Sequence, residues 1–278
     1  MYMITCFLKG GLGNQLFQIF TSISYAIQIK TNFKFIDVEY LGEGTTTIRK
    51  TYWNNFLKKM KPFLTKSFPE LITVSETKDF RYKKLNIPKN KDICLNGYFQ
   101  SYKYFDSYYK TIYNLLNIDN YKREILLQHN EPLSISLHFR LGDYKTKTDY
   151  HNIMSYEYYE SCLTMLINKI QNESIHNVLY FYELEDYEIV KATIDKLQTK
   201  FINCKFVSVS NTLEDWQQMI LMSCCKYNII ANSSFSWWAA YFNSNKDKIV
   251  LYPKTWFGPS YDYNTCDLFP PEWIMVKN

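Results

Sequence analysis

The chain has 278 residues, 46% of them hydrophobic, a globular composition long enough for one large or two medium domains, each with its own core. Its 32 basic and 27 acidic residues leave a formal charge of +5 with no long block of either sign, so the composition demands no nucleic acid and suits a small phosphorylated ligand. No run approaches the ~20 apolar residues of a membrane span and no signal core follows the N-terminus, which predicts a cytoplasmic protein, with peripheral membrane association as the alternative.

The seven cysteines (Cys6, Cys94, Cys162, Cys204, Cys224, Cys225 and Cys266) are odd in number and form no C-x-x-C pair. That pattern predicts free thiols in a reducing compartment. The four histidines form no H-x-x-x-H pattern, so no built-in metal site is expected.

The first predicted element is a strand, Met3 to Leu8, followed by Lys9-Gly10-Gly11-Leu12-Gly13-Asn14-Gln15 and an apolar-periodic helix from about Leu16 to Ile29. Strand, glycine turn and helix open an α/β unit, and the free N–H groups of such a helix start favour anions. A strand is expected over Lys34–Val38. The region 41–91 is irregular, aromatic and basic, with Pro62, Pro69 and Pro88 punctuating short helices. Another strand is expected over Cys94–Gln100, then a helix over Tyr102–Leu116.

A domain boundary is expected near Asn130-Glu131-Pro132, dividing the chain into residues 1–130 and 131–278. Beyond it, the apolar alternating run Pro132 to Leu137 reads as a strand that delivers His138-Phe139-Arg140-Leu141-Gly142-Asp143-Tyr144 to a glycine turn. The arginine there presents a rigid fork suited to phosphate oxygens. Helices are then expected over Tyr156–Ile170, Asp186–Gln198 and Leu213–Cys225, alternating with strands over Val178–Tyr182, Lys205–Val209 and Tyr227–Ala231. Two runs of this kind predict two doubly wound domains facing one cleft.

The Tyr227 strand leads into Asn232-Ser233-Ser234-Phe235-Ser236-Trp237-Trp238. Small polar residues at a helix start form an anion-binding nest. The serines are expected to touch ligand rather than only cap the helix, and the tryptophans to pack between sheet and helix.

In order and spacing, Gly10 to Gln18, His138 to Tyr144 and Asn232 to Trp238 resemble glycosyltransferase family 11, the α-1,2-fucosyltransferases. The resemblance extends through Tyr158-Tyr159, Met222-Ser223-Cys224, Asn228-Ile229-Ile230 and Pro253-Lys254-Thr255-Trp256-Phe257. It implies a GT-B-like α/β enzyme of two Rossmann-like domains. The first would lie on the acceptor side and the second would bind GDP-fucose. The implied reaction moves L-fucose to a hydroxyl, usually O2 of a galactose, with inversion and without an essential metal or other cofactor. The implied partners are GDP-fucose and a galactose-containing glycan acceptor.

The resemblance also implies residue roles. Arg140 would hold the β-phosphate, His138 would lie near the nucleotide, and Asn14 would sit at the point of sugar transfer. Asn232, Ser233, Ser234 and Phe235 would line the donor, with Gly11 and Gly13 in the glycine loop. Two departures stand out. Leu141 replaces the second arginine of the H-x-R-R-G-D pattern and is expected to pack inward, since alternate strand residues face opposite sides. Phe181-Tyr182-Glu183-Leu184-Glu185-Asp186 stands where the family often has serine-aspartate-aspartate, and reads as an acidic helix start rather than a metal site.

Inversion needs a group to take the acceptor proton, and the sequence offers Asp143, then His151, then Asp149. Orientation by Asn14 without a protein base is the remaining option. Other readings are a transferase of different linkage or acceptor, and a non-catalytic GDP-sugar or glycan-binding protein. A nucleic-acid module built on the basic aromatic stretch 49–61 is the least specific of them.

Overall fold

The apolar run Met3–Cys6 forms strand β1 and feeds the turn from which helix α1 (Leu12–Gln28) departs. Gly10 lies at φ +81°, and a Cβ there would meet the Asn14 amide nitrogen at 2.5 Å, so both conformation and space require glycine. The computed structural model describes residues 2–42, 48–77, 79–129, 134–170, 176–209 and 212–277. Helix α1 starts directly on the glycine turn rather than at Leu16, because Gly11 is its extended N-cap and Leu12 and Gly13 are already buried. Asn14 therefore sits in its first turn.

Strands β2 (Asn32–Phe33), β3 (Ile72–Ser75) and β4 (Ile93–Asn96) join β1 in a parallel sheet of order β2-β1-β4-β3. The expected strand Lys34–Val38 is not continuous: β2 ends at Phe33, and Phe35–Ile36 pairs instead with Leu64–Thr65. β4 stops at Asn96 rather than Gln100, where Gly97 and the left-handed Phe99 (φ +52°) turn the chain off the sheet. The helix expected over Tyr102–Leu116 is two 3-10 turns and a short helix α2 (Tyr109–Leu115), interrupted where Phe105 leaves helical geometry to bury its ring fully.

The chain divides into two units: Met1–Asn120 with Tyr263–Pro270, and Tyr121–Asp262 with Pro271–Asn278. The division falls within helix α3 (Ile118–Gln128) rather than near residue 130, because α3 carries second-unit contacts: Tyr121 packs on Trp216 and Lys122 donates to the Phe242 carbonyl. Residues 263–270 return to the first unit, where Asp267 accepts from the backbone of Tyr82 and from Lys103. Residues 130–133, where the boundary was expected, lie outside the described residues.

The second unit contains strands β5 (Ile135–His138), β6 (His176–Phe181), β7 (Cys204–Ser208), β8 (Tyr227–Ile229), β9 (Ile249–Pro253) and β10 (Ile274–Val276). Helices α4 (Tyr156–Ile170), α5 (Tyr187–Lys200), α6 (Asp215–Cys224) and α7 (Ser234–Phe242) alternate with them. All six strands are parallel, in the order β7-β6-β5-β8-β9-β10. Numbered from β5, this is the doubly wound order 3-2-1-4-5-6, whose direction of winding reverses between β5 and β8. The two α/β units with parallel sheets match the expected fold class. Every residue of β5 and β8 is buried, as central parallel strands require.

Two tyrosines of α4 fix the ends of those central strands. The Tyr159 hydroxyl donates to the His138 carbonyl at 3.1 Å and the Tyr158 hydroxyl to the Ile230 carbonyl at 2.6 Å. All seven cysteines are free thiols, Cys266 alone among them being exposed. No described helix is long and apolar enough to cross a membrane.

Candidate functional site

In an open parallel sheet the ligand crevice lies outside the carboxyl ends of the strands at the reversal point, here the loops leaving β5 and β8. The structure brings His138, Phe139, Arg140, Leu141, Gly142 and Asp143 to the first of these, and Asn232, Ser233, Ser234 and Phe235 to the second. The loops touch: the Tyr144 hydroxyl donates to the Asn232 carbonyl at 3.3 Å, and the His138 and Phe235 rings lie 5.6 Å apart.

His138 is buried, and desolvation together with the nearby Arg140 charge pushes its pKa down to about 3. It is therefore neutral at physiological pH. Its Nδ1 is buried without a hydrogen-bond partner, as is Asn232 Oδ1. The Asn232 amide donates to the Asn152 carbonyl at 2.8 Å and the Trp256 carbonyl at 3.0 Å, pinning the start of the β8 loop. Two orphaned polar atoms at one crevice cost about 1–3 kcal/mol each, a penalty that a polar ligand would relieve.

Arg140 lies over the Tyr144 ring at 4.9 Å, and that ring stacks on His151 at 4.1 Å and 9°. Its two terminal nitrogens donate to Asp143 Oδ1 and to Glu183 Oε1. Leu141, next along the chain, packs into the core beside Phe139, as expected. Gly142 follows with φ +41° and donates its N–H to Asp186 Oδ2 at 2.9 Å. Asp186, fully buried, also accepts from Lys145 Nζ at 2.6 Å.

The acidic run after β6 thus does more than begin a helix. Glu183 pairs with Arg140, and Asp186 clamps the Gly142 turn from beneath. Nothing in the linear sequence marks those pairings, which join residues about forty positions apart; the hint is only that a carboxylate follows the end of a strand adjacent to β5. Both carboxylates are matched to cations already, so the run is an ion-pair brace.

Ser233 is the N-cap of α7, its hydroxyl accepting from the Phe235 N–H at 3.3 Å, while the Ser234 hydroxyl has no protein partner among the described residues. The capping reading therefore applies to Ser233, and Ser234 is the serine left able to meet a ligand. Trp237 and Trp238 are fully buried.

Of the three proposed proton acceptors, Asp143 offers Oδ1 to Arg140 and Oδ2 to Lys147 at 3.4 Å. His151 is held below its usual pKa by burial, with Asp143 opposing and Arg140 and Lys147 reinforcing the shift. Asp149 is exposed. The remaining expected site residues, Gly11, Gly13 and Asn14, belong to the first unit, where the Gln100 amide donates to Asn14 Oδ1 at 2.8 Å and Lys9 bridges to Asn96 at 3.3 Å.

The chain is similar over nearly its whole length to known glycosyltransferases. An Escherichia coli α-1,2-colitosyltransferase is 27% identical over 299 residues, with all of both chains covered. The Escherichia coli O-antigen biosynthesis glycosyltransferase WbnK is 28% identical over 322 residues, covering 99% of this chain and 100% of that one. A Caenorhabditis elegans galactoside 2-α-L-fucosyltransferase is 24% identical over 306 residues, covering 98% and 78%. A solved Escherichia coli ADP-heptose LPS heptosyltransferase II overlaps 56% of this chain and 43% of that one at TM-score 0.37 and 18% identity. The family model for glycosyl transferase family 11 matches residues 3–277, and the chain belongs to that family.

Proposed function

We propose that the chain is an inverting α-1,2-fucosyltransferase that moves L-fucose from GDP-fucose to a sugar hydroxyl, O2 of a galactoside, without an essential metal. The carrying observation is the convergence, at the reversal point of the second sheet, of the Arg140 guanidinium, a neutral His138 with an unpaired buried Nδ1, and the N-terminus of α7. Those are the parts a nucleoside diphosphate needs. The bond that breaks leaves charge on the diphosphate, and a preoriented guanidinium with N–H donors stabilises that charge as it develops. Transfer in the 2-position is supported by the names of two relatives matched over nearly all of this chain.

A second reading keeps the linkage and changes the sugar to colitose, favoured by the full-length match to the colitosyltransferase. Incubation with GDP-fucose or GDP-colitose and a panel of galactosides, with linkage mapping of the product in the presence of a chelator, separates these. Fucose on O2 is expected. Turnover with GDP-colitose alone selects the second reading, a different linkage revises the acceptor, and GDP binding without turnover indicates a binding protein.

A further inference from the structure

The loop leaving β5 and the end of its neighbour β6 pair three cations with three carboxylates. Arg140 meets Asp143 and Glu183, Lys147 lies 3.4 Å from Asp143 Oδ2, and Lys145 lies 2.6 Å from Asp186. Burial keeps the His138 pKa at about 3 and holds His151 below its usual value, so neither ring adds a cation at neutral pH. These paired groups therefore balance before any ligand arrives. A diphosphate brought to this crevice adds negative charge beside them, and like charges crowded at a half-buried site repel strongly. One carboxylate has to release its cation.

The geometry selects which. Asp186 is 1% exposed and also accepts the Gly142 N–H, so its departure would strip a buried backbone donor. Asp143 is tied to two cations of its own turn, Arg140 and Lys147. Glu183 is the most exposed of the three, at 46% against 36% for Asp143, and Arg140 is its one ion-pair partner among the described residues. Its backbone is anchored, the carbonyl accepting from the Asp186 N–H at 2.8 Å, so the side chain can swing without moving the loop. A Cβ on Gly142 would fall 2.5 Å from Glu183 Oε2. The bare turn at Gly142 is thus what lets this carboxylate reach across onto Arg140.

We propose that Glu183 is an exchangeable counter-ion of the diphosphate site. It holds Arg140 in the empty site, yields it to the donor, and takes it back as the nucleoside diphosphate leaves. The leaving diphosphate gains a charge when its bond to the sugar breaks, which strengthens its grip on the guanidinium; a competing carboxylate in place offsets that grip and speeds release. Glu183 acts through Arg140 and is a positioning residue. This deepens the donor-site reading above and rests on it.

The test is calorimetric binding of GDP and of guanosine, with chelator present, to the unsubstituted protein, Glu183→Gln and Glu183→Ala. Glutamine keeps the length and still accepts from Arg140 through its amide oxygen, but carries no charge. GDP should bind both variants ~3–5-fold more tightly at low salt, the range of a part-exposed ion pair, and the gain should shrink as salt screens the competing pair. Guanosine, which lacks the phosphates, should bind all three proteins alike. Dissociation of a fluorescent GDP analogue, followed by stopped flow, should slow by the same factor as the affinity rises. The measured affinity does not depend on the folded fraction, which scales only the stoichiometry. Weaker GDP binding by the variants, the outcome expected of a carboxylate that merely props Arg140, overturns the proposal, as does an unchanged GDP affinity or an equal gain for guanosine. An unsubstituted protein that binds GDP no more tightly than guanosine overturns the donor-site reading, and this proposal with it.

Discussion

Arg140 shows how much a single side chain depends on geometry rather than charge. Its guanidinium is shared between Asp143 and Glu183 and rests on Tyr144, so an incoming anion must exchange with the half-exposed Glu183 rather than enter an empty fork. Lysine at this position would keep the charge but lose the planar pair of donors. Arg140→Lys is expected to lower the transfer rate by at least ~10²-fold, comparable to deleting one transition-state donor, with the melting temperature little changed. Near-normal single-turnover rates would remove Arg140 from phosphate stabilisation. Leu141 illustrates the complement: one place along the chain, the side chain points into the core, where an arginine would need repacking or a partner.

At the scale of elements, the site is two strand ends and a helix start held by neighbours that are distant in sequence. The buried Asp186, at the entry to α5, receives the Gly142 N–H and the Lys145 ammonium and so fixes the loop leaving β5. Asp186→Asn keeps the shape but leaves Lys145 without its counter-charge. The expected loss is on the order of 2 kcal/mol, below that of a fully buried pair because Lys145 is 37% exposed. Denaturant titration measures this, and the donor KM should rise as the Arg140 loop loosens; unchanged stability and KM would show the brace to be incidental.

Most central elements were legible in the sequence because their apolar runs report burial on both faces, as in Ile135–His138 and Tyr227–Ile229. Strand β3 was not, for a physical reason: it is an edge strand with mostly exposed side chains, so Ile72-Thr73-Val74-Ser75 carries no inward-facing pattern. The site divides in the same way. Arg140, His138 and Ser234 lie in contiguous motifs and could be read directly. Glu183 and Asp186 act through partners about forty residues away, which no pattern along the chain marks.

For the molecule as a whole, the division into units does not follow the order of the chain. Residues 263–270 belong with the first unit, where Asp267 accepts from the Tyr82 N–H at 3.1 Å, its carbonyl accepts from Ser101 at 2.6 Å, and Tyr263 stacks on Phe80 at 4.3 Å. The next residues supply Trp273 against Trp237 and the outer strand β10 to the second unit. Deleting everything after Asp262 is therefore expected to destabilise both units rather than trim a tail. A shortened chain that melts within a few degrees of the full one would contradict this.

That arrangement also bears on how the protein is made. A ribosome releases Met3 to Asn120 long before it reaches Tyr263, at ~5–20 residues per second. For several seconds or more the first unit must wait with its Tyr82 amide, Ser101 hydroxyl and Lys103 ammonium unmet, while the second unit emerges behind it. Native closure of the amino-terminal half is thus a late event of synthesis, and a nascent chain stalled at residue 262 should remain protease-sensitive in the segment from Phe80 to Lys103.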